Sequence, residues 1–177
     1  LTLFGGSLRQ GQVDGLTAFL DYWEAHHATK DDRWLAYMLA TAHHEVDRTF
    51  RPIKEYGGDK YFFEMYDIEG FRPKVAKTLG NLAKGDGVLF HGRGFVQLTG
   101  RANYAFWQNE LKTDLTSSRA MADKVLQLDI AVAIIFEGSI RGTFTGKKLE
   151  DYISGVRQDW RGARRIINGQ DKADLIA

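Results

Sequence analysis

Residues 42–55 read AHHEVDRTFRPIKE: two adjacent histidines, a glutamate directly after them and a second glutamate ten positions on. This stretch can be a metal site, a catalytic carboxylate pair or the polar end of a helix. A zinc-protease helix carries His-Glu-x-x-His, with both histidines on one face. After His44 and Glu45 the second histidine position holds Arg48. His43 and His44 are neighbours, so on a helix they point about 100° apart and cannot face one ion. His26 and His27 have the same defect, and His91 is isolated in sequence. A metal site is therefore not expected. Glu45 follows Met38 by seven positions and Thr41 and Ala42 by four and three, which puts it at the edge of an apolar stripe. A carboxyl partly withdrawn from water there holds its proton more firmly, as a general acid must. Glu55 lies beyond Pro52, so its direction is not tied to the helix. On one straight helix the two would be about 15 Å apart along the axis. A break at Pro52 lets the chain fold back towards the roughly 6.5–9.5 Å that an inverting glycosidase needs between acid and base. Glu64, Asp67 and Glu69 are rival bases or, equally, exposed loop charges.

A second polar string, HGRGFVQLTGRANY, spans residues 91–104. Gly92 and Gly94 begin a dinucleotide fingerprint, but the third glycine position is Gln97 and no strand–helix unit with a suitable acid frames it. What remains is a set of neutral hydrogen-bonding groups, Gln97, Thr99, Asn103 and Tyr104, suited to sugar hydroxyl and acetamido substituents. Tyr104 with Phe95, Phe106 and Trp107 offers flat faces for pyranose rings. The alternative is a tight glycine turn followed by a helix with a polar face.

Helices must position these residues. Val13, Leu16, Phe19, Leu20 and Trp23 recur at threes and fours. A second helix, capped by Asp31 or Asp32, carries Leu35, Met38, Leu39 and Ala42 on one side and is expected to end at Pro52. Residues 56–94 are rich in glycine and aromatics and predict loops, with a small hairpin and a helix near 73–83. Helical spacing returns at 102–111 and 119–138, where Leu126, Ile130, Ala133 and Ile134 form an apolar stripe, and 149–168 predict one or two closing helices.

The 177 residues fit one domain, 1–177, and 44% hydrophobic with 12% aromatic composition is enough for a core. No run is long and apolar enough for a membrane helix. The opening LTLFGGSLRQGQ lacks the parts of a signal peptide, so synthesis in the cytoplasm is expected. The absence of cysteine excludes disulfides and thiolate metal sites. Net charge of +1 gives no global field towards nucleic acid. Arg157, Arg161, Arg164 and Arg165 fall at helical spacing after Lys147 and Lys148, as a solvated helix face or a contact with an anionic envelope.

AHHE on a helix, GRGFVQLTGRANY and RRIINGQ together resemble glycoside hydrolase family 19, in the family's order and across residues 42–169. The resemblance implies a mainly α, lysozyme-like two-lobed helical fold with a central cleft. It implies hydrolysis of β-1,4 links in chitin or peptidoglycan, with inversion and without cofactor. The chain is expected to act as a monomer. By resemblance, Glu45 is the acid, Glu55 the base and Thr99 the residue that positions water. Gln97, Asn103, Tyr104 and Asn168 bind sugar, and Arg165 holds a carboxylate in place. Plant chitinases of the family have disulfides and a longer loop between acid and base. The short chain and its opening LFGGSLRQGQVDGL resemble compact phage endolysins and bacterial members. Peptidoglycan in the bacterial cell wall is thus the expected substrate, with chitin second and a non-catalytic glycan-binding module third. An arginine (Arg48, Arg93 or Arg165) beside Glu45 would oppose its acid role, so the nearest is expected at Glu55.

Overall fold

The computed structural model of the chain describes residues 4–167. It is mainly helical, as expected. The chain divides into two compact units, Leu1–Arg51 with Val132–Ala177, and Pro52–Ala131.

The first unit contains α1 (Gln10–His27) and α2 (Asp32–Glu45). Asp31 caps α2 by accepting from the backbone N–H of Arg33. On α1 the buried side chains are Phe19 and Trp23; Val13 and Leu20 of the anticipated stripe are exposed. Phe19 packs edge-on against Phe50 at 6.0 Å and at a tilt against Phe136 at 5.4 Å, ring centre to ring centre. Each such ring contributes on the order of 2 kcal/mol by leaving water. The buried face of α2 is Trp34, Tyr37, Met38, Thr41 and Ala42, with Leu35 and Leu39 half-buried beside it. Two hydrogen bonds fix the helix lengthwise: Trp34 Nε1 donates to Ile153 O and Tyr37 Oη to Ala163 O, both at 2.8 Å.

Pro52 does not end α2. The helix stops at Glu45, and the chain reverses through left-handed Asp47 and Arg48 (φ 48° and 62°). The turn is stabilised locally, because Arg48 N donates to His43 O at 2.8 Å and Thr49 Oγ1 to Val46 O at 2.7 Å. These bonds occupy carbonyls that a helix end leaves open.

The second unit opens with strand β1 (Ile53–Lys54), followed by α3 (Asp59–Tyr66), α4 (Pro73–Thr78), α5 (Asp86–Leu89) and strand β2 (Arg93–Gly94). The strands pair antiparallel, Ile53 with Gly94 and Lys54 with Arg93. They are distant in sequence, so this is a pairing across the unit rather than the small hairpin anticipated. Helix α3 was not anticipated. After α6 (Arg101–Leu111), the expected helix 119–138 is broken into α7 (Arg119–Ala122), a 3-10 turn and α8 (Leu128–Arg141). Ala133 and Ile134 of its stripe are buried; Leu126 and Ile130 are half-buried. Buried Asp67 accepts from the backbone N–H of Gly85 and Gly87 at 2.8 and 3.1 Å, and buried Asn81 donates to Tyr66 O and accepts from Arg101 N. These side chains help to fasten the glycine-rich segment.

Past α8, in the first unit, comes a true hairpin, β3 (Ile153–Ser154) with β4 (Arg157–Gln158), and then α9 (Trp160–Ala163) and a 3-10 turn, Arg164–Ile166. Arg157 therefore lies on a strand and Arg164 is buried. The four arginines do not form one solvated helix face.

Candidate active site

Glu45 is the last residue of α2, and its side chain is 14% exposed. Arg164, 2% exposed, donates from Nη2 to Glu45 Oε1 at 2.5 Å. An arginine–carboxylate contact is charge-assisted, and such bonds are among the stronger ones a carboxylate makes. It also reverses the expected placement: the nearest arginine sits at Glu45 and not at Glu55. The residue responsible is Arg164, because the short turn from Ala163 to Ile166 points it inward and leaves Arg165 exposed. The assignment of carboxylate holder thus moves one position. Arg48 makes no ion pair with Glu45, and Arg93, fully buried, pairs with Asp123 at 2.7 Å.

Glu55 stands one residue past β1, and its N–H continues the ladder to Gly92 O at 2.9 Å. Its carboxylate accepts from Tyr66 Oη at 2.7 Å and from Gly92 N at 3.1 Å. Burial, then the bond and charge of Glu55, push the Tyr66 hydroxyl well above its ordinary value, so it remains a donor at all working pH values. A Cβ at Gly92 would stand 2.9 Å from Gln97 Oε1 and 3.0 Å from Glu55 Oε2. Glycine is needed there for both oxygens to crowd one point. Gln97 itself, left-handed at φ 51°, spends its amide N–H groups on Ile53 O and Gly94 O at 3.2 and 3.1 Å. Thr99 Oγ1 donates to Gln97 O at 2.8 Å, and Asn103 Nδ2 to Thr99 O at 2.7 Å. The string 91–104 is therefore one hydrogen-bonded run that brings Gln97 to Glu55.

Tyr104 departs from expectation. Its ring is fully buried, and its hydroxyl donates to His91 O and accepts from Arg93 Nη1. Burial pushes that hydroxyl up to about 12 against the lowering effect of Arg93. It is a core residue and presents no face to a sugar. Phe95 and Trp107 are buried as well, while Phe106 is exposed. Asn168 lies outside the described residues. Of the rival acids, Asp67 is structural, Glu69 pairs with Lys84 at 2.8 Å and Glu64 faces Lys60 at 3.9 Å on α3. Sequence reasoning missed Tyr66 and Arg164. Tyr66 lies on an unanticipated helix, and Arg164 reads, in a string of four arginines, as one more surface charge.

No protein-family model matches the chain, and no curated protein matches it by sequence. Its fold nevertheless has solved counterparts, mainly helical and lysozyme-like. Chitinase C from Streptomyces griseus HUT6037 is similar with a TM-score of 0.53 at 22% identity, over 95% of this chain and 63% of that one. A mutant of chitinase C is similar with a TM-score of 0.55 at 18% identity and the same coverage. This chain thus spans less than two thirds of the length of either. At these identities the likeness is one of fold.

Proposed function

We propose that the chain is a glycoside hydrolase of the family 19 type that cleaves β-1,4 links of peptidoglycan by an inverting acid/base mechanism. The observation that carries this reading is the setting of Glu55, whose carboxylate is held by two neutral donors beside Gln97 on a fold shared with a chitinase. Glu55 is the base that deprotonates the attacking water, and Thr99 steadies that water. Glu45 gives its proton to the leaving glycosidic oxygen. Its contact with Arg164 runs through Oε1, so Oε2 is the oxygen assigned to that proton. Once the proton has moved to the leaving oxygen, the Arg164 guanidinium stabilises the carboxylate that remains. Gln97 and Asn103 take sugar substituents. The same apparatus serves chitin, and the likeness to chitinase C favours that as the second reading.

Mass spectrometry of digested peptidoglycan tests the proposal, since the new reducing end names the bond cut. Glu45→Gln and Glu55→Gln should each lower turnover about a thousandfold. Lysis at the original rate by Glu45→Gln protein overturns the assignment. Release from chitin oligomers alone moves the substrate to chitin.

A further inference from the structure

Beyond Glu45 the chain lines an open cavity of about 720 Å³ in the first unit. Arg9, Arg48 and Arg51 surround it, with Asp47 as its acid and Gln12 and Thr49 as neutral hydrogen-bonding groups. Three positive charges against one negative leave a net of +2 at the cavity wall. Among the described residues none of the three guanidinium groups has an ion-pair or side-chain hydrogen-bond partner. Elsewhere Arg33, Arg93, Arg101 and Arg119 each face an aspartate. The first turn of the neighbouring α1, 18 residues long, contains no acid to offset its positive end. Arg51 is laid along that turn, where a Cβ at Gly11 would stand 2.3 Å from its Nε. Unpaired cations gathered around one concavity repel one another, and an anion entering it relieves that repulsion.

We infer that this cavity receives carboxylates of the peptide stems of peptidoglycan. The inference rests on the glycan-cleaving reading and names the feature of substrate that this chain selects. Asp47 and Arg48 follow Glu45 by two and three residues, on the left-handed turn that ends its helix, which ties this wall of the cavity to the proposed acid. Chitin carries no anionic group, whereas peptidoglycan carries carboxylates on peptides branching from its glycan. The planar guanidinium fork suits a carboxylate with two parallel hydrogen bonds. Asp47 suits an amino or amide group of the same stem.

The test compares kcat/KM on stem-bearing glycan strands with that on strands stripped of peptide by an amidase. The protein should prefer the stem-bearing strands by at least about tenfold. Arg9→Gln with Arg51→Gln should remove the preference while leaving the rate on stripped strands unchanged. Gly11→Ala should weaken it by displacing Arg51, with no loss of melting temperature, because alanine is the better helix former. No preference in the original protein, or one that survives the double substitution, overturns the inference. If neither strand is cut, the proposed function fails on its own. Calorimetry with a free stem tetrapeptide and Glu45→Gln protein then decides this point: binding lost on double substitution supports it, and equal or absent binding overturns it. Sedimentation with phosphatidylglycerol vesicles covers the other anion source. Vesicle binding removed by the double substitution, with tetrapeptide affinity unchanged, assigns the cavity to lipid phosphate and overturns the inference.

Discussion

Glu45 ends a helix and faces a buried arginine, whereas Glu55 follows a two-residue strand and faces a tyrosine hydroxyl and a backbone N–H. The first arrangement sets charge against charge in a place nearly closed to water. Each partner there depends on the other, because either alone would be a poorly solvated ion. The second surrounds one charge with dipoles that stay neutral and stay in place. One acid is held by a partner that must remain ionised, the other by partners that keep the same charge throughout. The difference should be visible in stability before any substrate is added.

The largest contrast comes from removing each charge while keeping its shape. Glu45→Gln leaves the Arg164 guanidinium facing an amide, at an expected loss of about 2–4 kcal/mol. Glu55→Gln keeps a carbonyl oxygen for Tyr66 and Gly92, so about 0.5–1 kcal/mol is expected. Urea unfolding of the two variants measures both. Equal losses would break the comparison and leave Arg164 no special dependence on Glu45.

Much of this arrangement was legible in the sequence, and the parts that were not share a cause. Helices α1, α2 and α6 carry their apolar spacing openly, and AHHE with GRGFVQLTGRANY pointed to the mainly helical, lysozyme-like fold. Glu55 was placed next to Gly92 by strand pairing between residues about forty apart, which no local period records. Tyr66 was hidden because α3 lies in a segment whose glycines read as loop, while its fastening is done by buried Asp67 and Asn81. Arg164 and Tyr104 were misread for the opposite reason. A charged residue suggested surface and an aromatic in a polar string suggested a sugar platform, yet both are buried. Burial of a single side chain depends on the turn that points it, and composition does not state that turn.

A smaller effect separates the neutral donors at Glu55. Tyr66→Phe removes one hydrogen bond to a charged acceptor, about 1.5 kcal/mol of stability. In a Glu55→Gln background the same change should lose only about 0.5 kcal/mol, since the acceptor is then uncharged. The double-mutant cycle measures that difference, and equal losses in both backgrounds would mean that the tyrosine packs rather than binds. Turnover should fall roughly tenfold with KM little changed, as the loss falls on the base and not on sugar binding.

The smallest effect is a pH dependence, and it asks how far the neutral character around Glu55 extends. His91 precedes Gly92, is 3% exposed and stacks on Phe62 with ring centres 4.0 Å apart. Its Nδ1 lies 2.8 Å from Val88 O, which assigns the proton of the neutral ring to Nδ1. Burial pushes its ionisation below the ordinary 6.5, and Arg93 and Lys54 add to this against the opposing Val88 carbonyl and Glu55. The unfolded chain therefore takes up a proton just below pH 6.5 that the folded chain refuses. The stability from a neutral His91 is fully present above that pH and is lost as pH falls towards the folded value. Asp86 and Asp123 do not confuse this window. Burial raises each, but Arg101 and backbone N–H groups at Asp86, and Lys54 and Arg93 at Asp123, hold both below 3.8, so their stability is lost only in stronger acid. His91→Gln keeps a donor near Val88 without the titration. Between pH 7 and 5 the original protein should lose about 1 kcal/mol more than this variant by urea unfolding. Parallel curves would mean that His91 takes up its proton in the fold, placing a cation near Glu55 and making its surroundings resemble those of Glu45.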